Sequence, residues 1–294
     1  MRKRKIIVIC ICVIGFLAGL GTMLYPMFSQ WYTSKYHSEV RTQYHALVDG
    51  AEENHEIDAM REAAMEYNRA LFAGEVNTAE YETNGYMDLL DPMGNGIMGY
   101  IIIPKINVDL PIYHTTDLQI LDVGAGHMQQ TSLPVGGTNT HAVISAHTGM
   151  AESPMFSDLE LLEIGDIFQL EVLDDILTYE VYEIEVVEPY EIDSILIQAG
   201  QDLCTLVTCT PYGINSHRLL VHGQRIETPE TSGEGSETVA VQGQESGESV
   251  WMKNYKQSIR IGLLIILIFL VITYLTVRFI RRKDVRSKGA GNET

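Results

Sequence analysis

Two long apolar runs lie near the two ends of the chain. The first, Ile6–Phe28, follows the basic stretch MRKRK, and the second, Ile261–Val277, is followed by RFIRRKDVRSK. Neither run contains a charged residue, and each reaches the ~18 residues of a membrane-spanning helix once flanking residues that extend to the interface are included. The pattern therefore predicts two transmembrane helices. A cleaved signal peptide is the alternative for the first run, although no small-x-small cleavage site follows it.

The segment between these runs changes its periodicity at about Gly99. From residue 38 to 72, apolar or small residues recur at the spacing of amphipathic helices, and we expect this stripe to be a packing surface. From Gly99 onward, short β-rich runs such as GYIIIP, THAVISAH and CTLVTCTP are broken by Pro, Gly, Asn and Asp. Several strands at this spacing predict a compact β-barrel or sandwich. After Ile226, the stretch ETPETSGEGSETVAVQGQESGESV holds six glutamates and no basic residue, which predicts a disordered acidic linker.

Basic and acidic residues are distributed unevenly along the chain. Of the 20 Lys and Arg, four lie at positions 2–5 and nine at or after Lys253, so seven lie between them. Because basic flanks stay in the cytoplasm, both termini are predicted to be cytoplasmic and the part between the two runs to be outside. That outer part carries 37 of the 39 acidic residues, for a net charge of about −30. Such a charge repels nucleic acid, so a nucleic-acid-binding function is excluded.

The outer part contains two cysteines, Cys204 and Cys209. They lie five residues apart on one predicted strand, so their side chains are expected on opposite faces, roughly 16 Å apart, and cannot form a disulfide with each other. A free thiol in an extracellular domain favours a chemical role. Cys209 is the better candidate because it ends the strand just before Thr-Pro, whereas Cys204 is expected to be an inert buried thiol.

Arg218 follows the next turn and shares a strand face with Leu220 and His222. A buried arginine charge costs several kcal/mol unless it is paired, so Arg218 either forms a salt bridge or stabilises oxyanion charge near Cys209. A cysteine nucleophile also needs a proton-transfer partner. His147 is attractive because it ends the apolar strand AVISA, but spacing alone does not choose among the candidates. The histidines that remain open are His114, His127, His141, His147 and His222.

Four ordered blocks of the sequence resemble a known family. TLVTCTPYGINSHRLLVHGQRI is similar to the TLxTC segment, with the asparagine and arginine that follow it, of class C sortases, the pilin-polymerising transpeptidases of Gram-positive bacteria. GIMGYIIIPKINVDLPIYH resembles the opening barrel strands of that family. TSLPVGGTNTHAVISAHTGM resembles the block that ends in the catalytic histidine, and MFSDLELLEIGD resembles the segment after it. The resemblance runs from about Tyr86 to Ile226.

The resemblance implies a fold and a reaction. The fold is mainly β, an eight-stranded sortase-type β-barrel with N-terminal helices, flanked by the two predicted transmembrane helices. Cys209 is implied as the nucleophile, His147 as the acid/base and Arg218 as the oxyanion or substrate-positioning group. The implied reaction cleaves an LPxTG-like sorting signal at Thr–Gly through a thioacyl enzyme and joins it to a lysine of another pilin. No metal ion or organic cofactor is required.

The implied partners are the membrane and pilins or surface proteins that carry a C-terminal sorting signal. The implied location is the cell membrane, with the catalytic domain on the extracellular face. Two alternatives stay open. The chain can be a sortase that anchors surface proteins to peptidoglycan, or a membrane-tethered β-domain that only binds a partner and keeps Cys209 as a core thiol.

One departure from the family pattern concerns the active-site lid, an Asp-Pro-aromatic motif found in many class C enzymes. The triplet Asp91-Pro92-Met93 lacks the aromatic residue and precedes the first barrel strand by a few residues, so it is typical of a turn. The expected lid region, 73–86, has no such motif. We therefore expect the lid to be missing or unconventional.

These inferences divide the chain into seven segments. The predicted order is a cytoplasmic tail (1–5), a transmembrane anchor (6–28), an N-terminal helical region (29–85), the catalytic barrel (86–226), the acidic linker (227–254), a transmembrane helix (255–280) and a cytoplasmic tail (281–294).

Overall fold

The computed structural model describes residues 2–51, 55–80, 85–150, 153–228 and 250–289. The chain divides into two compact units, one formed by Met1–Trp31 with Met252–Thr294 and the other by Tyr32–Trp251. Most of the predicted acidic linker, 229–249, lies outside the described residues.

Four α-helices and eight β-strands occur in the described ranges. The helices are α1 (Arg2–Ala51), α2 (Glu56–Phe72), α3 (Leu118–Leu121) and α4 (Val250–Gly289). The strands are β1 (Ile97–Ile103), β2 (Val108–His114), β3 (Ala125–His127), β4 (Thr140–Ser145), β5 (Ile167–Val172), β6 (Asp175–Val187), β7 (Asp202–Thr210) and β8 (His217–Ile226).

The eight strands form a closed barrel in the order β1-β2-β3-β4-β7-β8-β6-β5, and β1 pairs with β5 to close it. The pairs β2–β3 and β4–β7 are parallel and the other pairs are antiparallel. Closure leaves no exposed sheet edge, which explains how many short strands make one stable domain. The prediction of a mainly-β, eight-stranded barrel is confirmed, and the sandwich alternative is wrong.

The N-terminal helices of the barrel unit pack against its strands through their apolar stripe. Tyr44 of α1 is fully buried, and its hydroxyl donates to the Met98 carbonyl at 3.0 Å and accepts from the Leu173 amide at 2.7 Å. Its ring lies edge-on to Tyr100, with centroids 5.5 Å apart. All seven residues of β1 are buried because the helices cover one face while the barrel interior covers the other. The predicted packing role of this stripe is therefore confirmed.

The second helix is fastened to the barrel by an asparagine side chain. The Asn68 amide donates to the Leu133 carbonyl at 3.0 Å and accepts from the Leu133 amide at 2.7 Å. Both residues are buried, so this two-way pairing satisfies the backbone amide of a loop residue and gives its carbonyl a further donor. The α2 helix thereby fixes the loop that leads into β4.

The two long apolar helices differ in how well they meet the requirements of a membrane span. Tyr255–Leu275 in α4 is long and apolar enough to cross a membrane by itself. In α1, Val13–Tyr25 and Met27–Val48 meet the same requirement only when the bent pair is taken as one span. Within the described residues, one helix thus qualifies as a span by itself and a second qualifies only as a bent pair, whereas the sequence predicts two transmembrane helices.

Candidate active site

Cys209 and Arg218 lie opposite one another on neighbouring strands, because β7 and β8 are antiparallel and their register pairs these two residues. On its other side β7 runs parallel to β4, with Ser145 paired to Val207. The Ala146 amide donates to the Val207 carbonyl at 3.2 Å, which extends this ladder beyond the strand end. His147 follows two residues after Ser145, at the end of β4 that lies next to the Cys209 end of β7. The barrel therefore pairs Cys209 with Arg218 and places His147 just beyond the end of the neighbouring strand.

Strand alternation separates the two cysteines as the sequence predicts. Cys204 and Leu206 belong to the main core, whereas Val207 belongs to a second apolar cluster on the other face of the sheet. Burial raises the pKa of the Cys204 thiol well above its ordinary value, so this thiol stays protonated. Cys209 is half-buried at the strand end, and both cysteines are free. Of the two, Cys209 is therefore the thiol that a substrate can reach.

The guanidinium of Arg218 is held by the turn that joins β7 to β8. Its Nη1 donates to the His217 carbonyl at 3.1 Å and to the Asn215 carbonyl at 3.4 Å. Asn215 has a φ of 60° and its amide donates to the Pro211 carbonyl at 2.9 Å, which closes the turn. Within the described ranges Arg218 forms no salt bridge with a carboxylate. The remaining guanidinium donors are therefore available to a bound anion or carbonyl oxygen.

The chain after His147 is fixed by backbone hydrogen bonds. The His147 carbonyl accepts from the Phe156 amide at 3.0 Å, and the Gly149 amide donates to the Ser157 hydroxyl at 2.9 Å. Gly149 has a φ of +80°, and a Cβ there would lie 3.5 Å from the Tyr212 ring. This segment thus turns sharply next to the β7–β8 loop, which leaves the His147 ring only 27% exposed.

Two further residues of the site were not predicted from the sequence. Asp122, just after α3, places Oδ1 3.8 Å from Nε2 of His147. Thr208, which is buried on the face opposite to Cys209, donates its hydroxyl to the Ala146 carbonyl at 2.8 Å. Strand parity could have indicated Thr208, since a buried hydroxyl needs a partner. No sequence signal indicates Asp122, because its position depends on tertiary structure.

The other histidines that the sequence left open are buried in hydrogen-bond networks. His114 contacts the Leu89 carbonyl at 2.7 Å and His127 contacts the Ser132 carbonyl at 2.7 Å. Burial lowers the pKa of His127 to about 4 and also lowers the pKa of His141. His222 is 1% exposed. Among the five candidates, His147 is the one whose ring is partly open to solvent.

The triplet Asp91-Pro92-Met93 forms a turn, as its sequence predicts. The Asp91 carboxylate accepts hydrogen bonds from the Asn95 and Gly96 amides, each at 3.0 Å, just before β1. Met93 packs against the main core. Part of the expected lid region, 81–84, lies outside the described residues, so the expectation of a missing or unconventional lid stays a prediction.

Comparison with known proteins identifies one family over the barrel. The family model for the sortase domain matches residues 101–226, which include all three predicted site residues. Among curated proteins, sortase A of Streptococcus agalactiae serotype III (strain NEM316) is 33% identical over 140 residues, 46% of this chain and 56% of that protein. The chain spans between 56% and 63% of the length of the curated relatives it matches.

Solved structures give longer matches. The crystal structure of sortase C from Streptococcus pneumoniae, for which pilin substrate specificity is described, is 42% identical with a TM-score of 0.58, covering 65% of this chain and 97% of that one. Sortase C from Clostridium perfringens, solved with the C-terminal cell wall sorting motif, is 40% identical with a TM-score of 0.57, covering 65% of this chain and 100% of that one.

Proposed function

Because the chain belongs to the sortase family, we propose that it is a cysteine transpeptidase of the class C type, which cleaves a C-terminal sorting signal and joins pilin subunits. The observation that carries this proposal is the register that pairs Cys209 with Arg218, supported by His147 lying just past the end of β4, the strand on the other side of β7. Nucleophile, proton carrier and fixed cation are the three groups that acyl transfer through a thioester needs.

In the first half-reaction, the Cys209 thiolate attacks the threonine carbonyl carbon of the Thr–Gly bond. A new C–S bond forms, and the carbonyl oxygen becomes an oxyanion beside Arg218. Charge-assisted donors placed where charge develops are worth a few kcal/mol in a transition state. The tetrahedral intermediate collapses as the C–N bond breaks, and His147 as an imidazolium gives its proton to the leaving glycine amine.

In the second half-reaction, the same groups act in reverse. Neutral His147 takes a proton from the incoming amine, which attacks the thioester carbonyl and forms an amide as the C–S bond breaks. With a lysine side chain as the amine, the product is an isopeptide bond between two pilin subunits and the Cys209 thiolate is regenerated. A metal ion or organic cofactor has no part in this sequence of steps.

The proposed substrate and acceptor are inferred from the solved relatives. The Clostridium perfringens sortase C was solved with a cell wall sorting motif, and pilin substrate specificity is described for the Streptococcus pneumoniae enzyme. Identities of 40% and 42% over nearly the whole of those chains support an LPxTG-like signal as the substrate and a pilin as the partner.

The distribution of apolar and basic segments supports a location at the cell membrane. Tyr255–Leu275 is the candidate anchor at the C-terminal end, and the N-terminal apolar run supplies a second. Basic residues beyond both runs favour cytoplasmic termini, which would place the barrel on the extracellular face. Fusing a reporter that is active only outside the cell to each terminus tests this topology; activity at either terminus would contradict it.

Mass spectrometry after incubation with an LPxTG-type peptide tests the enzyme proposal. We expect a thioacyl adduct on Cys209 that is lost in Cys209→Ala. The matched control is Cys204→Ala, which removes the buried thiol and should leave the adduct in place. If no adduct forms while Cys209→Ala still binds its partner fully, the chain is instead a membrane-tethered binding domain.

The acceptor needs a separate experiment, because anchoring to peptidoglycan uses the same thioacyl enzyme and a different amine. Deletion of the protein in its host should remove the high-molecular-weight pilin polymers. If only the attachment of monomeric surface proteins to the cell wall is lost, the anchoring function is the correct one.

A further inference from the structure

A chain of polar side chains crosses the sheet on the same face as Cys209. His141 on β4, Thr205 on β7 and His222 on β8 occupy neighbouring strands, and Glu185 on β6 ends the row. The Thr205 hydroxyl lies 2.6 Å from Nε2 of His141 and 2.8 Å from Nδ1 of His222. The other nitrogen of His222 lies 3.2 Å from the Glu185 carboxylate. We call these four side chains the relay.

The relay begins at a backbone carbonyl outside the sheet. Nδ1 of His141 lies 3.0 Å from the carbonyl oxygen of Leu196, in the connection 188–201 between β6 and β7. The first three relay residues are essentially inaccessible, with His141 and Thr205 at 0% and His222 at 1% exposure. Water therefore cannot replace a broken contact at these three positions, and each link matters.

Counting donors fixes how many protons the relay holds. The Leu196 carbonyl and the Glu185 carboxylate only accept, so the ring nitrogens facing them must each carry a proton. The Thr205 hydroxyl has one proton and gives it to one ring, so it must accept from the other ring. The ring that donates to Thr205 then carries protons on both nitrogens. All four contacts form together only when one of the two imidazoles is charged.

The surroundings decide which ring carries the charge. Burial lowers the pKa of His141, and the charge of His222 lowers it further, whereas Glu185 faces His222 directly. The other groups near His222 are Glu183, its partner in the β6–β8 register, and the Tyr182 ring, 6.0 Å away. The charge therefore belongs on His222, and Thr205 gives its hydroxyl proton to His141.

The connection that the relay holds lies over the face that carries the candidate active site. It leaves β6 at Val187, which pairs with Arg218, and the neighbouring Glu188 carboxylate lies 3.4 Å from the His217 ring. Further along, Ile195 packs against the cluster that contains Val207, two residues before Cys209. Ile195 thus places part of the connection against the sheet face that carries Cys209.

We propose that the relay is a proton-dependent tie that positions the β6–β7 connection and thereby shapes the substrate-binding surface beside Cys209. The effect on substrate rests on the proposed function, whereas the tie itself does not. When the extra proton leaves, one of the four contacts must be lost, so the connection is held most tightly while the relay is protonated.

Hydrogen exchange of the full chain in detergent tests the tie without any substrate. Exchange in 190–200, corrected for intrinsic rates, is compared at about pH 5.5 and about pH 8.5, on either side of the ordinary histidine pKa. In the wild type we expect protection to fall roughly fivefold at the higher pH, as for the loss of one net hydrogen bond. Thr205→Val should show, at both pH values, the weaker protection that the wild type has at the higher pH. Thr178→Val, another fully buried threonine whose hydroxyl bonds to Gln169 and Thr228, should behave as the wild type.

A second variant separates the proton from ordinary packing. Glu185→Gln offers an amide N–H to Nε2 of a neutral His222, so that every contact of the relay can form without the extra proton. We expect this variant to keep the connection protected at both pH values and to lose the pH dependence. Equal protection of 190–200 in wild type and Thr205→Val at about pH 5.5, or unchanged pH dependence in Glu185→Gln, would overturn the proposal.

Kinetics then link the tie to the substrate. Thr205→Val should raise KM for the sorting peptide roughly tenfold and change kcat by less than about twofold, since Thr205 does not touch the reacting groups. An unchanged KM in a variant whose connection is loosened would overturn the role in substrate binding. A wild type without transpeptidase activity but with the expected exchange pattern would instead reject the proposed function and leave the tie in place.

Discussion

The hydroxyl of Thr208 donates a 2.8 Å hydrogen bond to the carbonyl oxygen of Ala146 and so joins the residue before Cys209 to the residue before His147. The regular β4–β7 pairing ends at Ser145, just before this point. Together with the bond from the Ala146 amide to the Val207 carbonyl, the Thr208 hydroxyl fixes the peptide that carries the His147 ring.

Replacing Thr208 with valine should therefore impair catalysis through the position of His147. Valine keeps the shape but leaves the Ala146 carbonyl without its donor, which should lower the free energy of unfolding by about 1–3 kcal/mol. Because a shift of about 1 Å can cost about 100-fold in rate, we expect kcat to fall about 10- to 100-fold in a folded protein. Thr208→Ser retains the hydroxyl and should stay within about threefold of wild type. A folded valine variant with wild-type kcat would show that the bond has no catalytic role.

Arg218→Lys tests the guanidinium itself. Lysine keeps the charge but loses the planar fork that can hold a backbone carbonyl and an oxyanion at once. We expect kcat/KM to fall by about 100-fold, the usual effect of removing one oxyanion donor. Arg225→Lys is the matched control on the same strand, near Asp202 and away from Cys209, and should keep its activity. Near-wild-type turnover in folded Arg218→Lys would exclude the oxyanion role.

The positions of Cys209 and Arg218 could be predicted from strand patterns in the sequence, whereas that of His147 could not. Strand parity and the short loop between β7 and β8 sufficed to separate Cys209 from Cys204 and to put Arg218 on the next strand. Parity could not identify the histidine, because β4 and β7 are parallel neighbours joined by a long crossover, and local spacing carries no information on which distant strands pair. Only the resemblance to class C sortases selected His147, which follows the end of β4 next to β7.

The relay could not be predicted from the sequence for a related reason. Alternation placed His222 on the face of Arg218 and Thr205 on the face of Cys209, as the structure also has them. An outward face of a strand is ordinarily solvated, so these side chains gave no sign of burial. The β6–β7 connection covers them, and the course of a long connection depends on tertiary contacts such as that of Ile195.

Asp122 should contribute to catalysis only modestly. Its carboxylate lies 3.8 Å from Nε2 of His147, and the side chain is 63% exposed, so solvent and salt screen the interaction. Exposed ion pairs are worth up to about 1 kcal/mol, so Asp122→Asn should lower kcat/KM by at most about fivefold at low ionic strength. The difference from wild type should vanish at about 1 M salt. A loss that persists at high salt would indicate a direct hydrogen bond during turnover.

Acid should destabilise the barrel through His127, which is fully buried and neutral. The Tyr86 hydroxyl lies 2.9 Å from Nδ1, and Nε2 lies 2.7 Å from the Ser132 carbonyl; the carbonyl can only accept, so Nε2 carries the proton and Nδ1 accepts from Tyr86. Burial lowers the pKa of His127 from 6.5 to about 4. The stability that this difference contributes is complete above pH 6.5 and is lost as the pH falls towards 4, because the unfolded chain takes up the proton first.

This lowering of the His127 pKa should reduce the free energy of unfolding by about 3 kcal/mol as the pH falls from neutral to about 4. Chemical denaturation of the wild type and His127→Gln across this range measures it. Glutamine can accept from Tyr86 and donate to the Ser132 carbonyl, but it does not titrate. We expect His127→Gln to be less stable than wild type at pH 7, because the amide fills the ring site imperfectly, and to lose about 3 kcal/mol less on acidification. Parallel curves for the two proteins would mean that other groups, and not His127, cause the acid sensitivity.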